Sequence, residues 1–196
     1  MTLVKWRHYA CARLLEIARR PDAAIREYEA ALRAAPQFRK ALNALAYRHA
    51  QAGRDAEAIR YFERVLSMSP KDCDARFNLG FVYARSGEPR KAIDSFRGAT
   101  DLNPMLDRAW YGMGLAHAAL GEHREAMVAL EQAAKIQPMA SPVWYQLGMA
   151  CHYAHEPERV RAAIKHVNRF DPKTARRLIL DTGTTDLAYL VRDVVV

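Results

Sequence analysis

The stretch from Phe77 to Pro104, FNLGFVYARSGEPRKAIDSFRGATDLNP, decides how the whole chain is read. Its first half places Phe77, Phe81 and Ala84 on one helical stripe and Leu79 and Tyr83 on another. A helix of that pattern is apolar on two sides and needs two neighbours, which a lone helix pair cannot supply. Gly80 removes a Cβ where another helix must come close, and Ala92 and Ala99 flank the large Phe96 in the second half for the same reason. Gly87 offers the left-handed residue that ends the first helix. Pro89 sits near the first position of the second, where its missing N–H costs nothing.

The unit recurs. Prolines stand at 36, 70, 104, 138 and 172, each 34 residues after the last, and are read as closing five units. Counting back from them gives Ala24, Tyr28, Ala31; Ala58, Phe62, Val65; Ala92, Phe96, Ala99; Ala126, Leu130, Ala133; and Val160, Ile164, Val167. Small, large, small holds until the last unit. The first-helix slots read His8, Cys11, Ala12, Leu15 in the first unit, then Leu42, Leu45, Ala46, His49, and so on to Trp144, Leu147, Gly148, Cys151. Pro21, Pro89 and Pro157 share one slot at the start of a second helix and Pro142 opens a first one, so all nine prolines fall at helix boundaries. Gly53, Gly87 and Gly121 share the turn inside a unit, with Arg19 and His155 in that slot at the two ends.

Leu79, Gly80, Tyr83, Ala92, Phe96, Ala99 and Pro104 follow the tetratricopeptide spacing, and the chain resembles that repeat family over about residues 5 to 174. The repeats run 5–38, 39–72, 73–106, 107–140 and 141–174, with a C-terminal capping helix and tail over 175–196. The resemblance implies an all-α fold, a right-handed superhelical solenoid of antiparallel helix pairs whose first helices line a concave groove. Two specialised subclasses are disfavoured. A carboxylate clamp would need Lys and Asn in the slots of Tyr9 and Arg13, and no repeat has the pair. An asparagine ladder would repeat Asn78, where Ala10, Ala44, Gly112 and Gln146 stand instead.

The groove slots form three rows: Tyr9, Asn43, Phe77, Tyr111, Tyr145; Arg13, Tyr47, Phe81, Leu115, Met149; and Glu16, Ala50, Ala84, Ala118, His152. Rigid aromatics bury large area at little entropy cost, which suits a peptide anchor. The residues read as the peptide-binding groove are Tyr9, Arg13, Tyr47, Phe77, Phe81, Tyr111, Tyr145 and Met149, with Lys40, Arg85 and Arg108 as flanking cations for an acidic residue. The competing reading of these rings is packing between neighbouring repeats.

The net charge is +8, and between Arg159 and Arg177 seven basic residues face Asp171 alone. This basic end supports a rival reading, a charge-driven adaptor for nucleic acid or an anionic surface. Nucleic acid is disfavoured because no aromatic ladder accompanies the charge; the plainer reading is a solvated outer face. No run is long and apolar enough to span a bilayer, and the residues before Cys11 lack a lipoprotein cleavage pattern, so the expected location is cytoplasmic. Three cysteines without framework spacing fit reduced thiols, with Cys11 and Cys151 read as core fillers and Cys73 at a repeat junction.

Leu178 to Thr185, LILDTGTT, resembles the aspartic-protease signature, but that chemistry needs two aspartates on a β-rich scaffold, and a helix stop at Thr182 and Gly183 explains it better. Cys151, His152 and His155 have metal-like spacing, yet Cys151 falls in a core slot and His155 at the turn. No nucleophile elbow, phosphate loop or zinc-protease motif occurs. The expectation is a non-enzymatic scaffold with no cofactor and no metal, whose partner is a protein or peptide. The first helix carries Val4, Trp6, Tyr9, Leu14, Leu15 and Ile17 around much of its circumference, which predicts a homo-oligomer through the N-terminal repeat. After Gly183 a new helix is expected, capped by Thr185 or Asp186, with Leu187, Leu190, Val191 and Val194 on one face laid against Ile164 and Val167, the alternative home being the aromatic groove of a neighbouring molecule.

Overall fold

The turn inside each repeat fixes the local geometry. Gly53, Gly87 and Gly121 take φ of 71°, 78° and 74°, and Arg19 and His155 adopt the same left-handed conformation at 54° and 60° although neither is glycine. The backbone requirement therefore belongs to the repeat, and glycine meets it without a Cβ clash. The structure, a computed structural model, describes residues 2–192. Those residues form eleven α-helices and one short 3₁₀ helix, with no strand among them. By internal contacts the chain divides into two units, 1–88 and 89–196.

The first unit holds α1 (Thr2–Ile17), α2 (Pro21–Ala34), α3 (Arg39–Gln51), α4 (Asp55–Met68) and α5 (Cys73–Arg85). α1 pairs with α2 and α3 with α4, while α2 packs on α3 and α4 on α5. The small and large slots are the buried ones. Ala24, Tyr28 and Ala31 on α2 and Ala58, Phe62 and Val65 on α4 are at most 2% exposed, as are Leu42, Leu45 and Ala46 on α3. Cys11 does not behave as a core filler: it is exposed. Its counterparts Leu45, Leu79, Met113 and Leu147 are all buried. The described residues place no second helix against that side of α1, and Leu3, Leu14 and Ile17 are exposed with it.

The second unit holds α6 (Pro89–Leu102), α7 (Asp107–Ala119), α8 (His123–Ile136), α9 (Ser141–Tyr153), α10 (Pro157–Val167), α11 (Pro172–Thr182) and the 3₁₀ helix η1 (Thr185–Val191). Close approach depends on the small slots. A Cβ on Gly114 would lie 2.6 Å from Leu130 Cγ, and one on Gly148 would lie 2.5 Å from Leu178 Cδ2.

Pro172 opens α11 instead of closing the fifth repeat. Asp171 caps the helix by accepting from the Thr174 amide at 3.1 Å, and Pro172 fills its first turn. α10 stops at Val167, and α11 begins three residues before position 175, which lies 34 after the start of α9 at Ser141. α11 thus runs three residues early relative to the 34-residue count and shares its packing between α9 and α10. Gly183, φ 68°, ends it. The segment beyond is a 3₁₀ turn, not a regular helix. Thr184 begins it without a side-chain cap, and Asp186 accepts from Arg161 Nε at 3.0 Å. Leu187 and Val191 are buried in the cluster that contains Ile164, Val167, Leu178 and Ile179. Val194 lies outside the described residues.

The candidate binding face of the first helices

Each groove slot has to be located by what its side chain touches. In the first unit, Tyr9 is half-buried in an aromatic cluster, with ring centroids 5.9 Å from Trp6, 5.4 Å from Phe38 and 5.5 Å from Tyr28. It packs the α1–α2 pair and is not presented as an anchor. Lys40 is exposed with its ammonium 5.1 Å from the Trp6 ring centroid. Phe77 is half-buried.

The next row is open. Arg13, Tyr47 and Phe81, 34 residues apart on α1, α3 and α5, are all exposed, Tyr47 at 48% and Phe81 at 53%. A guanidinium lies over each ring, Arg48 at 6.0 Å from Tyr47 and Arg85 at 5.6 Å from Phe81, within cation–π reach.

Both arginines over these rings are paired with a carboxylate. Glu16 accepts from Arg48 Nε at 2.6 Å and from Arg13 Nη1 at 2.7 Å, tying α1 to α3. Burial pushes the Glu16 carboxyl up, but the hydrogen bond from Arg48 and the nearby charges of Arg48 and Arg13 outweigh it, so its pKa is lowered on balance. Burial, reinforced by Glu16, pushes the Tyr28 phenol well up. Arg85 donates from Nε to both Asp55 oxygens at 3.1 Å and from Nη2 to the Ala50 carbonyl at 2.7 Å. Asp55 answers a cation that sequence reasoning left free. The two residues lie on different helices, so no local pattern announces the pair.

In the second unit, Tyr111 is half-buried and Arg108 is exposed on α7, while Met149 packs against the core cluster. Tyr145 is engaged by α11. Its hydroxyl donates to Asp181 Oδ2 at 2.6 Å and the Arg177 guanidinium lies 4.6 Å from its ring centroid. The aspartate of the protease-like LILDTGTT stretch is thus a hydrogen-bond acceptor on a helix. Much of the basic end is also paired: Arg159 with Glu131, Arg161 with Asp186 and Glu158, and Arg177 with Asp181.

His49 is buried and stacked on Tyr61 at 5.4 Å, and His117 Nδ1 lies 2.7 Å from Glu122. Burial raises the thiol pKa of Cys151 to about 11, which keeps it protonated. Among the described residues no three His, Cys, Asp or Glu side chains gather as a metal-binding set. No described helix is long and apolar enough to cross a membrane.

Helix pairs at a strict 34-residue interval, with small and large residues interlocked between them, define the tetratricopeptide class. The chain belongs to the tetratricopeptide-repeat family. A "Tetratricopeptide repeat" model matches residues 9–73, and the repeat-type model "Anaphase-promoting complex, cyclosome, subunit 3" matches residues 51–133. No curated protein sequence matches the chain. Among solved structures it is similar to MamA (23% identity, 95% of this chain and 98% of that one, TM-score 0.80). It is similar also to MamA from Desulfovibrio magneticus RS-1 (18% identity, 85% and 97%, TM-score 0.76). YrrB, described as a TPR protein with an unusual peptide-binding site, shares 20% identity over 90% of each chain with a TM-score of 0.79. At these identities the likeness carries the fold. A tetratricopeptide fold is a scaffold for protein–protein interaction.

Proposed function

We propose that this protein is a non-catalytic scaffold that binds an apolar or aromatic peptide segment of a protein partner on the groove side of its first helices. One observation carries the reading: Tyr47 and Phe81 stand one repeat apart, half-exposed, each beneath an arginine that is itself held by a carboxylate. Rings fixed in this way lose little freedom on binding, and the arginine above each ring is already paired. Arg13 borders the face on α1. Phe77 offers further half-buried surface on α5 of the same unit. The peptide-binding site named for YrrB supports the same class of ligand. The pairing of Arg159, Arg161 and Arg177 weakens the rival reading of a nucleic-acid or anionic-surface adaptor.

The test is to select peptides from a random display library on the full chain and measure affinity by calorimetry. Tyr47→Ala with Phe81→Ala removes exposed rings and leaves the fold intact. It should weaken a selected peptide by about tenfold or more, as loss of aromatic anchors does. Neutralising Lys173, Arg176 and Arg177 should leave the affinity within about twofold, the scale of surface charge effects. Affinity that survives the first variant and collapses in the second would sink the groove reading in favour of the charged end.

A further inference from the structure

A second candidate site lies within the second unit. Between α8 and α10, floored by α9, the second unit holds a cavity of about 330 Å³ whose walls are Ala134, Trp144, Leu147, Cys151, Ala162 and Ala163. Glu131, Lys135 and Arg159 stand at its rim.

The repeat itself explains why space is left here. Three repeats earlier the slots of Ala134, Cys151 and Ala163 are held by Leu32, His49 and Tyr61. There the buried His49 stacks on Tyr61, so an aromatic pair supplied by the chain fills the place. Where the fourth and fifth repeats meet, the same three positions are small, Ala134 in the fourth and Cys151 and Ala163 in the fifth. Trp144 does not fill the space in their stead. Its indole is stacked on His166 at 3.9 Å and its Nε1 donates to the Pro138 carbonyl at 2.8 Å, which fixes it as a wall. An apolar cavity of roughly 150 Å³ is enough to take up benzene, so this one accommodates a substituted ring with room for its backbone. The rim carries two cations against one carboxylate, and Glu131 is paired with Arg159.

We propose that this cavity receives an aromatic side chain of a partner peptide, with a carboxylate next to that residue drawn to Lys135. The partner ring takes the place that Tyr61 holds within the second repeat. The site shares no residue with the Tyr47–Phe81 face, so it stands or falls separately from the peptide reading given above.

Trp144 reports on occupancy directly. With Trp6→Phe and Trp110→Phe to isolate its indole N–H resonance, the full chain is titrated with N-acetyl-tyrosine and with N-acetyl-tyrosinamide. The expected result is a saturable shift in the millimolar range, with the carboxylate probe about threefold tighter than the amide, the size of an exposed ion pair. Ala163→Tyr restores the residue of the second repeat, fills the cavity and should abolish the shift. Ala134→Leu, which restores Leu32, narrows the cavity by a smaller change and should weaken binding even if Ala163→Tyr misfolds. Lys135→Gln should remove the preference for the carboxylate. The proposal is overturned if the resonance does not respond saturably, or if it responds equally in the Ala163→Tyr and Ala134→Leu proteins.

Discussion

Arg19 and His155 show what a repeat demands of a single residue. Both hold φ near 54–60°, where three sister turns have glycine. A left-handed backbone costs an L-residue about 1–2 kcal/mol, part of which glycine gives back through greater freedom in the unfolded chain. Arg19→Gly and His155→Gly should each therefore stabilise their unit by about 0.5–1 kcal/mol, read as a higher midpoint of chemical denaturation at unchanged slope. Glu16 makes the complementary case. Its pKa is lowered in the fold, so its stabilising contribution is present above the carboxyl pKa of the unfolded chain and is lost as pH falls through the lower, folded value. Glu16→Gln should cost about 1 kcal/mol at pH 7, and the gap to the wild type should close in acid, measured by urea melts across that range. The first feature is legible in the sequence, because Arg19 and His155 fall in the glycine slot. The Arg13–Glu16–Arg48 cluster was not legible, because it joins helices about thirty residues apart.

At the level of elements, helix starts and stops follow from prolines, caps and turn residues, and most of them could be placed before the fold was known. The fifth repeat is the exception. Asp171, Pro172 and Thr174 form an N-cap, first-turn proline and capped amide, a signal present in the sequence that the regular 34-residue count overrode. The early start of α11 brings Leu178 onto Gly148 and lets Leu187 and Val191 close over the end of the core. Leu187→Ala should cost about 2–3 kcal/mol as a buried leucine truncation, whereas the exposed Leu180→Ala should cost little. A melt in which the two variants match would contradict this packing. On α1, Leu3, Leu14 and Ile17 make an exposed apolar face. Sedimentation should show concentration-dependent self-association that Leu14→Lys with Ile17→Lys removes; a monomer at all concentrations would rule that face out as an interface between copies.

For the molecule as a whole, the interval of 34 residues made the family readable, because each repeat must bury the same small and large slots against its neighbours. Exposure of the candidate binding residues was less readable. Tyr9 and Tyr145 occupy the same row yet are withdrawn for different reasons, one by an aromatic cluster and the other by α11, and in both cases the covering residues come from other helices. What remains open is the Tyr47–Phe81 pair, and the account rests on it. The most direct measurement is amide and side-chain chemical-shift mapping of the full chain with a selected peptide at physiological salt. The account predicts shifts centred on α3 and α5 around Tyr47 and Phe81, with little change at Lys173, Arg176 and Arg177. Shifts confined to residues 159–177, vanishing as salt is raised, would contradict it.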